Sequence, residues 1–212
     1  MPNHSLGKKE LRALALLRDE FQLTDNMCDV FKKYIFLLLE WNKRFNLTRI
    51  TDIQKIIECH FRDSLIVSKY IDISSITGVV DVGTGAGFPG IPLKIVFPDI
   101  SLVLIEVNTK KIKFLEMLIT EFQLTSVEIY DADWRSFIRN TQYDVQLICA
   151  RASLRPIELI RALKPASFYR NATIVYWAAE TWQPDKKEAH FLEEVYPYCI
   201  QGKKRKLVMF KN

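Results

Sequence analysis

A glycine-rich turn between a β-branched run and an apolar run constrains this chain of 212 residues more than any other feature. Residues 79–82 are Val-Val-Asp-Val, four glycines follow within eight positions, and an apolar segment extends from Ile91 to Phe97. This order is typical of a strand, a tight turn and a helix. Glycine suits such a turn because its backbone reaches positive φ and lets a ligand lie against the main chain. The helix, which is predicted to begin near Pro92, points its free N–H groups at the turn.

Two ligand classes use this geometry, and the glycine spacing alone does not separate them. Gly85, Gly87 and Gly90 match the G-x-G-x-x-G pattern of dinucleotide-binding folds. Gly83, Gly85 and Gly87 match the G-x-G-x-G of adenosylmethionine-dependent methyltransferases. Asp81 favours the methyltransferase class, because a carboxylate there would face the cationic amino group of methionine and repel a pyrophosphate. A glycine-rich turn without ligand function is the third interpretation.

Beyond the turn, runs typical of strands alternate with runs typical of helices. This alternation favours right-handed βαβ crossovers and a parallel, doubly wound α/β sheet. The tail differs, because its last two predicted strands are joined by Gln201-Gly202-Lys203-Lys204, a hairpin signal. The predicted strands are residues 79–82, 101–106, 127–130, 143–150, 172–177, 194–200 and 206–210, and the predicted helices between them are 109–122, 153–163 and 186–192.

Helical patterns precede the turn. We expect residues 1–70 to form a small helical region packed on an α/β domain of residues 71–212. The expected helices are residues 6–21, a second from Thr24 or Asp25 to about Trp41, and 53–60. The second helix carries an apolar stripe that is interpreted as core with no ligand role, formed by Met27, Val30, Phe31, Tyr34, Leu38 and Trp41.

Composition indicates a soluble globular protein. With 49% apolar and 26% charged residues, disorder is not expected, and the net charge of +5 permits a polyanionic partner without requiring one. No apolar run is long enough to span a bilayer, and Lys8, Lys9 and Glu10 stand where a signal peptide needs an apolar core, so a cytoplasmic location is expected. The four cysteines form no C-x-x-C pair and the three histidines lie far apart, so neither a disulfide nor a metal site is predicted.

Polar residues at three other places are candidates for a site. Residues 60–64, His-Phe-Arg-Asp-Ser, combine an imidazole, a guanidinium, a carboxylate and a hydroxyl. A functional site and a plain helix cap with a surface histidine are both open there. Glu106 ends the second strand, where its carboxylate can accept both ribose hydroxyls of an adenosine in either ligand class. Asp133 follows the third strand, where it either meets an adenine ring or caps a helix.

Taken together, these residues closely resemble the glucose-inhibited division protein B family, bacterial methyltransferases that place a methyl group on guanine N7 in small-subunit ribosomal RNA. The resemblance covers nearly the whole chain. The combination of Asn-Leu-Thr, His-x-x-Asp-Ser and a proline-containing glycine turn is far more specific than any one of these motifs. The matching pieces are Trp41-Asn42-Lys43, Asn46-Leu47-Thr48, His60 with Asp63-Ser64, residues 81–93, Lys111 with Phe114-Leu115, Arg151-Ala152 and residues 205–208.

The resemblance implies a class I methyltransferase with a Rossmann-like sheet and S-adenosylmethionine as its cofactor. The implied substrate is small-subunit (16S) ribosomal RNA, free or in the assembled subunit, and a monomer without membrane association is expected. Cofactor contacts are implied for Gly83, Phe88, Trp134, Arg135 and Arg151, in addition to Asp81, Gly85, Gly87, Glu106 and Asp133. The substrate pocket is implied to involve Asn46, Thr48, His60, Asp63, Ser64 and Arg205.

Three departures from the family pattern lie at the mouth of the implied pocket. Asp133 replaces an arginine after the third strand, and the segment after Arg151-Ala152 is slightly shorter than in the family. Residues 176–180, Tyr-Trp-Ala-Ala-Glu, stand where a lysine and a glycine usually follow the fifth strand. The loss of two cations and the gain of a carboxylate predict weaker RNA binding. We expect Arg135, two positions beyond Asp133, to compensate.

The implied chemistry needs no strong base. Guanine N7 carries an exposed lone pair, so methyl transfer to it depends on positioning. Arg151 and Arg205 are expected to hold phosphate or the guanine edge, while His60 and Asp63 order the pocket wall. No Asn-Pro-Pro-Tyr, Asp-Pro-Pro-Tyr or Pro-Cys sequence occurs, which argues against methylation of an exocyclic amine or of a pyrimidine through a covalent adduct.

Two rival functions stay open. A nicotinamide-dependent reductase needs a proton donor, yet no tyrosine here is followed by lysine four residues later. A non-catalytic or altered-substrate protein of the same fold would bind adenosylmethionine or RNA without the implied reaction. Turnover with labelled adenosylmethionine separates the non-catalytic protein from the enzyme.

Overall fold

A computed structural model describes residues 5–212 and shows one seven-stranded mixed sheet. Its strands are β1 (Gly78–Val82), β2 (Ser101–Ile105), β3 (Val127–Tyr130), β4 (Leu147–Arg151), β5 (Thr173–Ala179), β6 (Leu192–Ile200) and β7 (Lys203–Phe210). In space they run β3-β2-β1-β4-β5-β7-β6, and β7 runs in the opposite direction to the other six strands. The order reverses between β1 and β4, which is where open α/β sheets bind ligands. The predicted doubly wound sheet ending in an antiparallel hairpin is confirmed.

Helices cover both faces of the sheet. The α-helices are α1 (Lys8–Phe21), α2 (Asp25–Phe45), α3 (Ile53–Ile56), α4 (Asp63–Leu65), α5 (Gly90–Val96), α6 (Thr109–Glu121), α7 (Trp134–Asn140), α8 (Pro156–Leu159) and α9 (Lys186–Phe191). A π-helical stretch spans Ile57–Arg62, and short 3-10 helices span Ile66–Lys69, Ile73–Ser75 and Ile160–Leu163.

Two apolar cores lie on opposite faces of the sheet. On one face, Val79 of β1 shares a core with Phe31 and Leu38 of α2. On the other face, Val80 shares a core with Phe137 of α7. Every residue of β1 is buried, as expected for a parallel strand covered on both sides. The N-terminal helices therefore share one core with the sheet, and the division of the chain at residue 70 stays a prediction.

Residues 60–64 lie inside one helical run, so the predicted end of the helix 53–60 at His60 is wrong. Helical structure continues from α3 through the π-helical stretch into α4. No glycine or proline between residues 53 and 69 breaks it. A π-helical stretch inside an α-helix is frequently found at a functional site.

The second helix is one turn longer than predicted. It continues past Trp41 to Phe45 and ends where Asn46 adopts a left-handed φ of 50°. The Asn42 side chain holds the following loop, because its Nδ2 donates to the Thr48 carbonyl at 2.9 Å and its Oδ1 accepts from the Thr48 N–H at 2.8 Å. This side-chain pairing fixes the polar loop that the sequence indicates.

Boundaries near the end of the chain also differ. The strand predicted at 143–150 begins only at Leu147, because the Gln146 side chain accepts from the Gly78 N–H at 2.7 Å, beside the β1 edge. The hairpin turn consists of Gln201 and Gly202 alone, both with positive φ, 48° and 71°. A two-residue turn with two positive φ values matches the strand twist, so Lys203 already belongs to β7.

The structure leaves residues 1–4 undescribed. His4 and the first residues of the segment considered for a signal peptide therefore lie outside it. Within residues 5–212, no helix combines the length and the apolar character needed to cross a bilayer. In the same range, no three histidine, cysteine or acidic side chains lie together in a way that could hold a metal ion.

Candidate active site

The glycine turn occupies the carboxyl edge of β1, and its glycines serve two purposes. Gly83, Gly85 and Gly87 have φ values of +66°, +64° and +95°. A Cβ on Gly83 would lie 2.5 Å from Ser153 Cβ, and one on Gly87 would lie 2.5 Å from the Tyr34 hydroxyl. A Cβ on Gly85 would meet only one backbone oxygen, at 3.9 Å. Packing therefore requires glycine at positions 83 and 87, while Gly85 presents bare backbone to open space where a ligand can lie.

Asp81 lies fully buried beneath this turn. Its Oδ2 accepts from Thr84 Oγ1 at 2.7 Å and from the Gly90 N–H at 2.8 Å. Its Oδ1 is the only buried side-chain polar atom without a hydrogen-bond partner in the described part of the chain. Burial raises the pKa of Asp81 to about 6, although the two hydrogen bonds and Arg151 lower it. The contact of this carboxylate with a ligand's ammonium group stays a prediction.

Glu106 follows β2 directly and is fixed beside the turn. Its Oε2 accepts from the Gly85 N–H at 3.0 Å, and its Oε1 accepts from the N–H groups of Val107 and Asn108 at 3.1 and 3.0 Å. Lys111 Nζ lies 3.6 Å from Oε2. The carboxylate is thus placed at the edge where an adenosine ribose would lie, and its contact with ribose hydroxyls stays a prediction.

The carboxyl end of β3 leads into α7. Asp133 caps this helix by accepting from the Ser136 N–H at 2.7 Å, which is one of the two roles considered for it. The Trp134 indole is buried and donates to the Glu158 carbonyl at 3.0 Å. Arg135 is exposed, and its Nη2 lies 3.0 Å from Glu158 Oε2. The cofactor contacts predicted for Asp133, Trp134 and Arg135 stay predictions.

The second part of the site is a network around Asp63, whose side chain is fully buried. Its Oδ2 accepts from Arg151 Nη1 at 3.0 Å and from Arg205 Nη1 at 2.9 Å. Its Oδ1 accepts from the Tyr198 hydroxyl at 2.7 Å, and its carbonyl accepts from Trp177 Nε1 at 2.7 Å. Through its carboxylate and its backbone carbonyl, Asp63 thereby joins α4 to four strands. A buried charge is tolerable only when it is paired and hydrogen-bonded in this way.

Arg151 connects the Asp63 network to the glycine turn. Its side chain is only 10% exposed, and its Nη1 also donates to the Cys59 carbonyl at 3.2 Å. The guanidinium carbon lies 5.3 Å from the centre of the Phe88 ring, in the turn itself. The structure thus brings a predicted cofactor residue together with predicted pocket residues.

The His60 imidazole is neutral and fully engaged. Its Nε2 lies 2.9 Å from Thr48 Oγ1, and its Nδ1 lies 3.4 Å from Arg151 Nη2. Because an arginine only donates, Nδ1 must accept, which puts the ring proton on Nε2. Burial, followed by the charges of Arg151 and Arg205, lowers the pKa of His60 to about 3. A ring with that pKa is a poor proton acceptor at neutral pH, and the role of His60 in ordering the pocket wall stays a prediction.

Three other predicted pocket residues have clear positions. Ser64 is fully buried, and its hydroxyl donates to the His60 carbonyl at 2.6 Å. Thr48 reaches His60, as described above. Asn46 is exposed at the end of α2. Substrate contacts of Asn46 and Ser64 stay predictions.

An aromatic stack runs from α2 through the turn to the pocket. Phe88 lies between Tyr34, at 5.3 Å and 10°, and His60, at 4.5 Å and 9°, measured between ring centres and planes. Tyr34 also donates its hydroxyl to the Ala86 carbonyl at 2.5 Å. Sequence reasoning missed Tyr34, Tyr198 and Trp177. The available signal was that each carries a polar group within an apolar pattern, and such a group needs a partner when buried.

Comparison with known proteins agrees with this architecture. A ribosomal RNA small subunit methyltransferase G of Lysinibacillus sphaericus is 41% identical over 143 residues, covering 66% of this chain and 60% of that protein. One of Staphylococcus aureus (strain Newman) is 39% identical over 149 residues, covering 69% of this chain and 62% of that protein. The matched region thus spans about 60% of the length of these relatives.

Solved structures share the fold at low identity. A putative caffeoyl-CoA O-methyltransferase from Staphylococcus aureus has a TM-score of 0.59 at 11% identity, with 95% of this chain and all of that one covered. A SAM-dependent methyltransferase from Aquifex aeolicus has a TM-score of 0.54 at 17% identity, covering 78% of this chain and 97% of that one. The class I methyltransferase fold is thereby confirmed. The family model GidB, described as rRNA small subunit methyltransferase G, matches residues 27–204, so the chain belongs to this family and the resemblance drawn from its motifs is confirmed.

Proposed function

We propose that this protein transfers a methyl group from S-adenosylmethionine to guanine N7 in small-subunit (16S) ribosomal RNA. The observation that supports the proposal is that two groups of residues lie next to each other, those of the glycine turn and those of the network around Asp63. The glycine turn meets the Asp63–Arg205 network at Phe88, which contacts both Arg151 and His60.

The residues at the glycine turn fit the cofactor. Gly85 offers bare backbone, Glu106 stands beside it, and Asp81 holds an unpaired buried oxygen that favours a cation. A pyrophosphate on the same turn would be repelled by Asp81, which disfavours the nicotinamide reductase. When bound, the cofactor supplies an electrophilic methyl group on a sulfonium.

The pocket residues match an acceptor that needs no proton removed. His60 is neutral with both nitrogens engaged, so it holds the wall of the pocket instead of moving a proton. Arg151 and Arg205, which share the Oδ2 atom of Asp63, would hold the guanine edge or a phosphate. The chemistry is then positioning of the acceptor nitrogen in line with the methyl group, with water excluded.

A polyanionic partner is supported by cations near the hairpin. A cavity of about 330 Å³ is lined by Lys204, Arg205 and Lys206, and also by Tyr198 of the Asp63 network. Lys43 and Arg44 are exposed at the end of α2. Arg62, by contrast, is bound by Glu20, whose Oε1 accepts from Arg62 Nη2 at 2.9 Å. The phosphates would therefore meet the hairpin and α2 rather than Arg62.

Transfer of a labelled methyl group tests the proposal. Small subunits lacking the modification are incubated with the protein and labelled S-adenosylmethionine over a salt series. We expect label in the RNA, and activity that falls as salt rises because phosphate neutralisation releases counterions. Cofactor binding without transfer to subunits or naked RNA would favour the non-catalytic or altered-substrate alternative.

Cofactor affinity should depend on pH through Asp81. Because burial raises its pKa to about 6, the carboxyl becomes protonated below that pH and loses the charge that attracts the ligand's ammonium group. We expect the Kd for adenosylhomocysteine to be about tenfold higher at pH 5 than at pH 7, by calorimetry. Asp81→Asn should bind weakly at both pH values. A wild-type affinity that stays constant from pH 5 to 8 would contradict this role.

Arg135 should contribute to RNA binding. Its guanidinium is exposed beside Asp133, although Glu158 competes for it. Arg135→Ala is expected to raise KM for subunits about threefold to tenfold and leave kcat unchanged, whereas His60→Ala should lower kcat at saturating RNA. Arg161→Ala is the matched control, since Arg161 Nε holds the same Glu158 oxygen at 3.3 Å. Unchanged kinetics in Arg135→Ala would rule out compensation for the lost arginine.

A further inference from the structure

Tyr34 is the only member of the α2 apolar stripe with a hydroxyl. The side chain is fully buried, and the hydroxyl donates to the Ala86 carbonyl, 52 residues away, at 2.5 Å. Its ring stacks on Phe88. A phenylalanine would fill the same apolar space without a polar atom to satisfy, so packing does not account for the hydroxyl.

The hydroxyl bonds to one end of a peptide unit that would otherwise flip easily. Ala86 stands between Gly85 and Gly87, whose φ values of +64° and +95° show backbone that only glycine adopts readily. The Gly87 N–H, at the other end of the same peptide unit, donates to the Thr84 carbonyl at 3.0 Å. A flip of this peptide would break both bonds. Burial raises the pKa of Tyr34 well above its ordinary value, so the donor proton stays in place.

We propose that Tyr34 is a positioning residue for the cofactor turn, whose hydroxyl fixes the Ala86–Gly87 peptide and thereby the neighbouring Gly85 surface. This inference rests on the proposed function, because it assumes that the cofactor lies on Gly85. It gives the N-terminal helical region a part in cofactor binding that the apolar stripe alone does not indicate.

Tyr34→Phe tests the inference, with Tyr169→Phe as its matched control. Tyr169 is also buried, and its hydroxyl bonds to Thr141 Oγ1 at 2.6 Å and accepts from the Tyr143 N–H at 3.2 Å, in the core on the opposite face of the sheet. Each variant loses one buried hydroxyl and keeps its ring. We expect the Kd for adenosylhomocysteine to rise about tenfold in Tyr34→Phe and to change by less than about twofold in Tyr169→Phe. KM for S-adenosylmethionine should rise with it, while kcat at saturating cofactor stays unchanged.

Ala86→Gly provides a second variant that leaves the aromatic core intact. The substitution gives the Ala86–Gly87 peptide more conformational freedom while Tyr34 is unchanged. Like Tyr34→Phe, it should therefore raise the Kd for adenosylhomocysteine. Wild-type affinity in Tyr34→Phe, or an equal loss in Tyr169→Phe, would overturn the positioning role. Failure of the unaltered protein to bind adenosylhomocysteine would instead overturn the proposed function, and this inference with it.

Discussion

Gly85→Val should abolish cofactor binding while the protein stays folded. Gly85 has a φ of +64°, where a β-branched residue is strained by about 1–2 kcal/mol, and its side chain would project into the face on which the cofactor lies. No protein atom stands in that space, since a Cβ would meet only a backbone oxygen at 3.9 Å. We expect the affinity for adenosylhomocysteine to fall at least about 100-fold by calorimetry, a loss of about 2.7 kcal/mol or more.

Gly202→Val is the matched control for this substitution. Gly202 has a φ of +71°, and a Cβ there would have no atom within 4 Å, but it lies in the hairpin turn. The control carries the same backbone strain without entering the proposed cofactor site, so its affinity for adenosylhomocysteine should equal that of the wild type. Micromolar binding that survives in Gly85→Val would contradict the placement of the cofactor.

Asp63→Asn should cause the largest loss of stability. The substitution keeps the shape of the side chain but leaves two guanidinium groups, one of them only 10% exposed, without their shared carboxylate. Removing one partner of a buried ion pair destabilises a protein by about 3–5 kcal/mol. We expect that reduction in the free energy of unfolding from urea titration.

Asp29→Asn is the control for the loss of an ion pair at the surface. Asp29 pairs with Lys32 at 2.8 Å, but its side chain is 70% exposed, so its loss should change stability by less than about 1 kcal/mol. A similar small effect in Asp63→Asn would show that Asp63 does not hold the pocket together. If the Asp63→Asn protein remains folded but its kcat falls, the role of Asp63 is to order Arg151 and Arg205.

The sheet was predictable from the sequence because its signals are local. Three short patterns each determine the local structure of a few adjacent residues. They are the β-branched run before Gly83, the carboxylate at the end of the second strand and the turn at Gly202. The helix was predicted to end at His60 because a short stretch of polar residues is typical of a loop when the partners of those residues are unknown. Those partners are Thr48 and Arg151, which come from distant segments.

The network around Asp63 was not predictable in detail. Its arginine partners are 88 and 142 residues away along the chain, and only the folded sheet brings them to one oxygen. Likewise, the glycine pattern does not reveal that Gly83 and Gly87 are required by packing against Ser153 and Tyr34, whereas Gly85 faces open space. Such distinctions depend on tertiary neighbours and not on spacing.

Mapping the methylated atom tests the central claim most directly. Small subunits lacking the modification are treated with the protein and S-adenosylmethionine, and the RNA is mapped by mass spectrometry and by strand cleavage at N7-methylated guanines. We predict a single guanine methylated at N7, with the product lost in Gly85→Val. A methyl group on any other atom, or no product from a protein that binds adenosylhomocysteine, would contradict the account.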